Sequence, residues 1–108
     1  MSQKAASGKP TIEIRVRNES ALDFERVQVR FPETGEIDYG AVPRGGSSSF
    51  RDTALAYRYA PVVVKTRARQ FVFQPIDYVG ERTLDAGRYT YALGVEGGVL
   101  TIKLEREP

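Results

Sequence analysis

The sequence predicts an all-β chain, folded as a single antiparallel β-sandwich of about seven strands. Three observations carry that prediction. Strict apolar/polar alternation runs along both arms of a segment centred on Gly97-Gly98, the pattern of a β-hairpin with a two-residue turn. Shorter alternating runs precede it, separated by Gly, Pro, Ser and Asn clusters, the spacing of a sandwich or barrel. No stretch reads convincingly as a helix. At 108 residues the chain suits one domain and favours the sandwich. A domain of this size buries roughly 65% of its unfolded surface.

Residues 1–10 are polar and lack an apolar stretch, so they read as a flexible tether ahead of a domain at 11–108. No export signal is visible there. The tether is either a natural disordered start or what remains after an export segment is removed. The first strand covers 11–17, with Ile12, Ile14 and Val16 on one face and Glu13, Arg15 and Arg17 on the other. A polar connection over 18–23 leads to a second strand, about 25–31, with Val27, Val29 and Phe31 inward. Phe24 is out of phase and is expected to close the end of the core. Setting Ile12 against Phe31, Ile14 against Val29 and Val16 against Val27 matches apolar with apolar. The first two strands are therefore expected to pair antiparallel.

Residues 32–38 read as an acidic loop, 39–42 as a short strand, and Pro43-Arg44-Gly45-Gly46 as a turn. Residues 47–55 read as another strand anchored by Phe50. The stretch 57–67 is ambiguous. If one phase holds through Pro61, Tyr57 and Tyr59 face solvent and Arg58 faces the core, where an unpaired cation is costly. A break at Pro61, which lacks a ladder donor, flips the phase and buries the tyrosines; the break is the expected outcome. Residues 70–74 form a strand carrying Phe71 and Phe73, hairpinned to its predecessor through Arg67-Ala68-Arg69. A long connection over 75–85 leads to the last hairpin, in which Val95 faces Leu100, Leu93 faces Ile102 and Tyr91 faces Leu104.

Leu84-Asp85-Ala86-Gly87-Arg88-Tyr89 resembles the tyrosine corner of immunoglobulin-like and fibronectin type III sandwiches. The resemblance implies that the Tyr89 hydroxyl bonds back to upstream backbone, that Gly87 supplies the turn, and that Leu84 plugs the base of the core. The Cys–Trp–Cys set of antibody domains is missing. Transthyretin-like and carboxypeptidase-regulatory-like domains carry similar Gly-x-Tyr entries, so immunoglobulin-like and transthyretin-like topologies both stay open. Asp77-Tyr78-Val79-Gly80-Glu81 ahead of the corner resembles small secreted or lipid-anchored bacterial sandwiches. That likeness implies a periplasmic or cell-surface protein, attached to a membrane only through a lipid anchor that this sequence does not contain. A fold resemblance says nothing of activity.

Composition removes much of the usual chemistry. Cysteine and histidine are both absent. There is no disulfide, no thiolate nucleophile, no imidazole base and no Cys or His metal site. The net charge is +2 with a pI near 9.0, which does not demand a polyanionic partner. Arginine outnumbers lysine twelve to four, suiting structured surface contacts. No apolar run reaches the length of a membrane span. The acidic residues Glu33, Glu36 and Asp38, and Asp77 with Glu81, could supply the carboxylate pair of a glycosidase but read as solvated loops. Glu33-x-x-Glu36-x-Asp38 lacks the ligand spacing of a calcium loop. Ser47, Ser48 and Ser49 could act as nucleophiles only beside a lysine, and nothing places Lys65 or Lys103 there. Asn18-Glu19-Ser20 matches the glycosylation acceptor pattern, at a length common by chance. No cofactor and no metal is expected.

Two segments attract more interest. Arg58, Lys65, Arg67 and Arg69 are the only charges over 54–75, and they lie among aromatics, as single-stranded nucleic-acid grooves do. The aromatic-glycine signature of RNA-recognition domains is missing. The preferred reading is an outward face whose cations meet Glu13 or Glu25 and discourage edge-to-edge aggregation. The loop 74–82 sets Ile76, Tyr78 and Val79 among Asp77, Glu81 and Arg82, either tucked under the loop or displayed to a partner.

The expected role is a non-enzymatic binding, adhesion or accessory module of an exported bacterial protein, offering a face or end loops to another protein or a surface ligand. Its candidate residues are Tyr57, Tyr59, Lys65, Arg67, Arg69, Asp77, Tyr78 and Glu81. Alternatives are a carbohydrate-binding sandwich using exposed tyrosines, single-stranded nucleic-acid binding through 58–69, and, last, a small hydrolase built on a carboxylate pair.

Overall fold

The computed structural model describes residues 11–75 and 82–107. Eight strands run in the order β1 (Ile12–Asn18), β2 (Phe24–Phe31), β3 (Gly35–Val42), β4 (Arg51–Thr53), β5 (Val62–Lys65), β6 (Gln70–Phe73), β7 (Gly87–Glu96) and β8 (Val99–Arg106). They form two four-stranded sheets, ordered β4-β1-β7-β8 and β3-β2-β5-β6. The described residues include no helix. The fold is thus an all-β sandwich, with one strand more than the sequence reading expected.

The β7–β8 hairpin has the expected register, pairing Val95 with Leu100, Leu93 with Ile102 and Tyr91 with Leu104. Its turn places Gly97 at φ +58° and Gly98 at φ +79°, as a two-residue turn matching strand twist demands. β5 and β6 also pair antiparallel, with Val64 opposite Phe71 and Val62 opposite Phe73.

Two expectations about β1 fail. β1 does not pair with β2; it lies between β4 and β7, in the opposite sheet. Nor is the sandwich wholly antiparallel, because β1 runs parallel to β7, with Ile14 beside Tyr89 and Val16 beside Tyr91. Alternation reveals which side of a strand faces the core. Matching apolar faces are satisfied equally by pairing edge to edge and by packing face to face across a core. Here the second arrangement holds: Ile14, Val16, Val27 and Val29 are all fully buried, in opposed sheets.

The expected acidic loop is largely strand. Only 32–34 turn, with the Thr34 amide donating to the Pro32 carbonyl at 2.6 Å and Glu33 at φ +63°. Glu36 and Asp38 then take exposed positions on β3 while Ile37 is buried. Phe24 is buried as expected. A register shift in the β2–β3 ladder between Phe24 and Val27 brings it into phase, as an extra residue in one strand does.

The strand expected over 47–55 shrinks to β4, plus an isolated bridge between Arg17 and Ser47. Phe50 is no core anchor. The guanidinium carbons of Arg15 and Arg88 lie 4.8 and 5.0 Å from its ring centroid, a cation–π arrangement on the outer face of that sheet. Arg88 also pairs with Glu13 at 3.1 Å, so Glu13 does not meet the cations of 58–69. Arg17 spans Glu19 at 2.7 Å and Glu105 at 2.6 Å, and its hydrogen bond holds the Glu105 carboxyl below the usual range. Thr90 and Ala92 are buried on β7's outward side, where the long stems of such side chains can cover apolar surface.

β5 starts immediately after Pro61, but the phase does not flip there: Ala60, Val62 and Val64 are all buried on one parity, and Arg58 is exposed. The tyrosines do not take the core positions expected of them. Ala56 and Ala60 are buried, while Tyr57 and Tyr59 are half-buried. The segment is not a strand, so a period of two does not apply to it.

Tyr89 is buried, and its hydroxyl donates to the Asp85 carbonyl at 2.8 Å, the contact a tyrosine corner requires. Leu84 packs partly buried against the core. Gly87 sits at φ +147° with the Arg106 guanidinium 3.2 Å from where a Cβ would stand.

Asn18 joins the loops at the end of the sandwich where β1 finishes. It is fully buried. Its Nδ2 donates to the carbonyls of Leu22 (2.7 Å) and Val42 (2.9 Å), and its Oδ1 accepts from the Ser20 amide and hydroxyl. Its backbone N–H donates to Gly46 and its carbonyl accepts from Gly45. The glycosylation-like triplet therefore has its amide sealed inside the fold.

Asn18→Ala leaves two carbonyls and a serine without their buried partner; urea unfolding should show a loss of about 3 kcal/mol. Tyr39 yields a pH prediction. Its hydroxyl donates across the core to the Ile14 carbonyl at 2.8 Å, and burial pushes its pKa well above that of a free phenol. The neutral form is thus favoured by folding, and its contribution is complete below about pH 10, the unfolded value. Above that pH the unfolded chain ionises first and stability falls. Tyr39→Phe should be less stable than the parent at pH 7, and the gap in urea midpoint should narrow as pH rises past about 10.

Candidate functional site

The strand directions give the sandwich two unlike ends. One carries the connection β1–β2, the 43–46 turn and the hairpin turns β5–β6 and β7–β8. The other carries the β2–β3 turn and the segment leading from β4 into β5.

At this second end lies a cavity of about 530 Å³, within the range of small-ligand sites. Phe31 and Ala60, both buried, form its floor. Half-buried Tyr57, Tyr59, Pro32 and Pro61 line its walls, and exposed Arg30 and Glu33 its rim. Neither Arg30 nor Glu33 has an ion-pair partner among the described residues.

The walls are held from several directions. The Arg30 amide donates to the Pro61 carbonyl at 3.0 Å, which extends the β2–β5 ladder past its end. Tyr91, fully buried on β7, stacks on Phe31 with ring centroids 6.1 Å apart and 14° between planes. Its hydroxyl donates to the Tyr57 carbonyl at 2.6 Å. Tyr59 meets Phe73 edge to face at 6.3 Å. On the far side of the turn, Thr34 Oγ1 accepts from the Ala54 amide at 2.9 Å and lies 3.0 Å from Thr53 Oγ1. The walls are thus fixed by contacts within the protein itself.

The structure divides the candidate residues. Tyr57 and Tyr59 come together in the cleft. Lys65, Arg67 and Arg69 are exposed at the opposite end, around the β5–β6 turn. The length of β5, about 13 Å for four residues, separates the two groups. Arg69 lies 4.5 Å over the ring of Phe71, itself buried. The interleaved cations and aromatics of 58–69 are therefore not one surface. Asp77, Tyr78 and Glu81, with Ile76, Val79 and the rest of that loop's centre, lie outside the described residues.

Among the described residues, Glu33 is the one carboxylate lining the cleft. Asp38 is engaged by Arg26 at 2.8 Å and by the Gly40 amide at 2.9 Å, and no group of three or more acidic residues converges. A smaller polar hollow of about 210 Å³ lies beside Gly94, Thr101 and Lys103.

Sequence reasoning missed Arg30, Phe31, Pro32, Glu33, Ala60 and Pro61 as lining residues. The turn that gathers the first four is hidden because 32–38 reads as one loop. Matching Val29 against Ile37 would have revealed a tight turn at Glu33.

No family model matches the chain, and no curated protein matches it. An NMR structure of a protein from Eubacterium rectale is similar, with a TM-score of 0.65 and 18% identity over 93% of this chain and 93% of that one. At that identity the likeness shows the fold alone.

Tyr91→Phe keeps the ring and removes the bond to Tyr57. It should cost about 1 kcal/mol in urea unfolding. Its amide shifts in a ¹H–¹⁵N spectrum should concentrate over 57–61 and leave Gly97 and Gly98 unmoved.

Proposed function

We propose that this chain is a non-enzymatic binding module whose ligand site is the cleft between the β2–β3 turn and residues 57–61. One observation carries the reading: a cavity of about 530 Å³ with an apolar floor, aromatic and proline walls and a charged rim, held open by core contacts. Largely apolar concavities with a few convergent polar groups are the usual form of ligand sites. A hydrolase is less well supported, because a carboxylate pair needs two acids across the site and Glu33 stands alone among the described lining residues. Nucleic-acid binding is less well supported because Lys65, Arg67 and Arg69 lie at the end opposite Tyr57 and Tyr59.

The strand order favours the transthyretin-like over the immunoglobulin-like alternative. Constant-type immunoglobulin domains hold their first two strands in one sheet. Here β1 and β2 lie in different sheets.

An NMR screen of small organic probes of varied charge tests the site. Hits should move amides at 30–33 and 57–61, and a Tyr57→Ala/Tyr59→Ala variant that keeps its β-sheet circular dichroism should lose them. Hits scattered over the surface, or none in the cleft, count against the reading.

A further inference from the structure

We infer that the ligand of this cleft is a neutral saccharide, an inference that rests on the cleft being the binding site. The first argument is charge. The rim carries one guanidinium, Arg30, and one carboxylate, Glu33, both exposed and neither ion-paired among the described residues. An anionic ligand meets Glu33 and a cationic one meets Arg30, so the pair disfavours a net charge of either sign.

The second argument is hydrogen-bond polarity. Arg30 offers only donors and ionised Glu33 only acceptors. A ligand satisfying both must present donors as well as acceptors. Neighbouring sugar hydroxyls do so, since each both donates and accepts. A proline-rich peptide, the other ligand that aromatic grooves commonly take, offers carbonyls but no N–H at its prolines, and leaves Glu33 without a partner. An unpartnered polar group at a desolvated contact weakens binding.

The third argument is shape. A pyranose ring has C–H faces that pack flat on apolar rings and an equator of hydroxyls. The cleft divides the same way, with Tyr57, Tyr59, Pro32 and Pro61 inside and Arg30 with Glu33 at its mouth. Tyr59 is braced edge to face by Phe73 and the Tyr57 backbone by Tyr91. Little ordering is left for the ligand to impose.

The test is a ¹H–¹⁵N NMR titration of the full chain with neutral cello-, xylo-, chito- and malto-oligosaccharides. Oligogalacturonate serves as the anionic control and a proline-rich peptide as the rival. At least one neutral sugar should saturate with shifts at 30–33 and 57–61. Arg30→Ala and Glu33→Gln should each weaken it roughly tenfold, and Lys65→Ala, at the opposite end, should leave it unchanged. These rim variants touch no core contact, so the test survives if Tyr59→Ala fails to fold. Oligogalacturonate or the peptide binding more tightly than every neutral sugar overturns the inference. So does saturation that Arg30→Ala and Glu33→Gln leave intact. If small probes occupy the cleft but no neutral sugar does, the saccharide assignment falls and the binding module stands. If nothing occupies the cleft, both fall.

Discussion

Among the described residues, Tyr91 is the largest side chain buried completely. A phenol in such a place needs an acceptor for its hydroxyl. The chain supplies one from the Tyr57 carbonyl, in a segment belonging to neither sheet. The same ring stacks on Phe31 of the opposite sheet. One residue therefore closes the core between the layers and fixes both the floor and a wall of the cleft. Core packing and site geometry are not separable here. Tyr89 lies two residues upstream on the same inward face, its hydroxyl on the Asp85 carbonyl, so Tyr89 and Tyr91 act in series: one secures entry to β7, the other uses β7 to hold the loop.

The two ends of the sandwich meet the demand for polar satisfaction differently. At the Asn18 end a single amide serves the β1–β2 connection and the end of β3, and the hairpins are short. At the cleft end the tight β2–β3 turn and the longer, irregular segment over 54–61 are tied by hydrogen bonds at Thr34, Pro61 and Tyr57. The short, saturated loops of the Asn18 end leave the smaller hollow of about 210 Å³ beside Gly94. Longer loops, braced only at intervals, leave room between the braces. That difference, and not a special catalytic residue, is why the cavity forms where it does.

How much of this was legible depends on the range of the interaction. The β7–β8 register follows from local turn chemistry and alternation, and both are written within residues 89–104. The inward face of β1 and β2 was equally plain. Their partners were not, because a strand's alternation is blind to which sheet it joins. Residues 36 and 38 misled in another way: charged side chains alternating with Gly and Ile look like a loop until the buried Ile37 is weighted. Phe50 misled because an aromatic among arginines reads as core when two distant cations cannot be seen to share it. Of the site, the two tyrosines were visible as an anomaly around Pro61. The rim was not, since Arg30 and Glu33 reach the cleft only through a hairpin turn that the acidic run concealed.

The parallel contact of β1 with β7 carries a kinetic implication. Residues that touch there, such as Arg15 and Thr90, stand 75 positions apart, whereas the three antiparallel hairpins close over a few residues each. Long-separated pairing incurs its loop-closure entropy late. β1 can meet β4 earlier, over Ile12 to Ile14, but its longer ladder waits for β7, which is made much later. Until then the β1 edge that β7 covers is where a stray extended segment would most easily intrude.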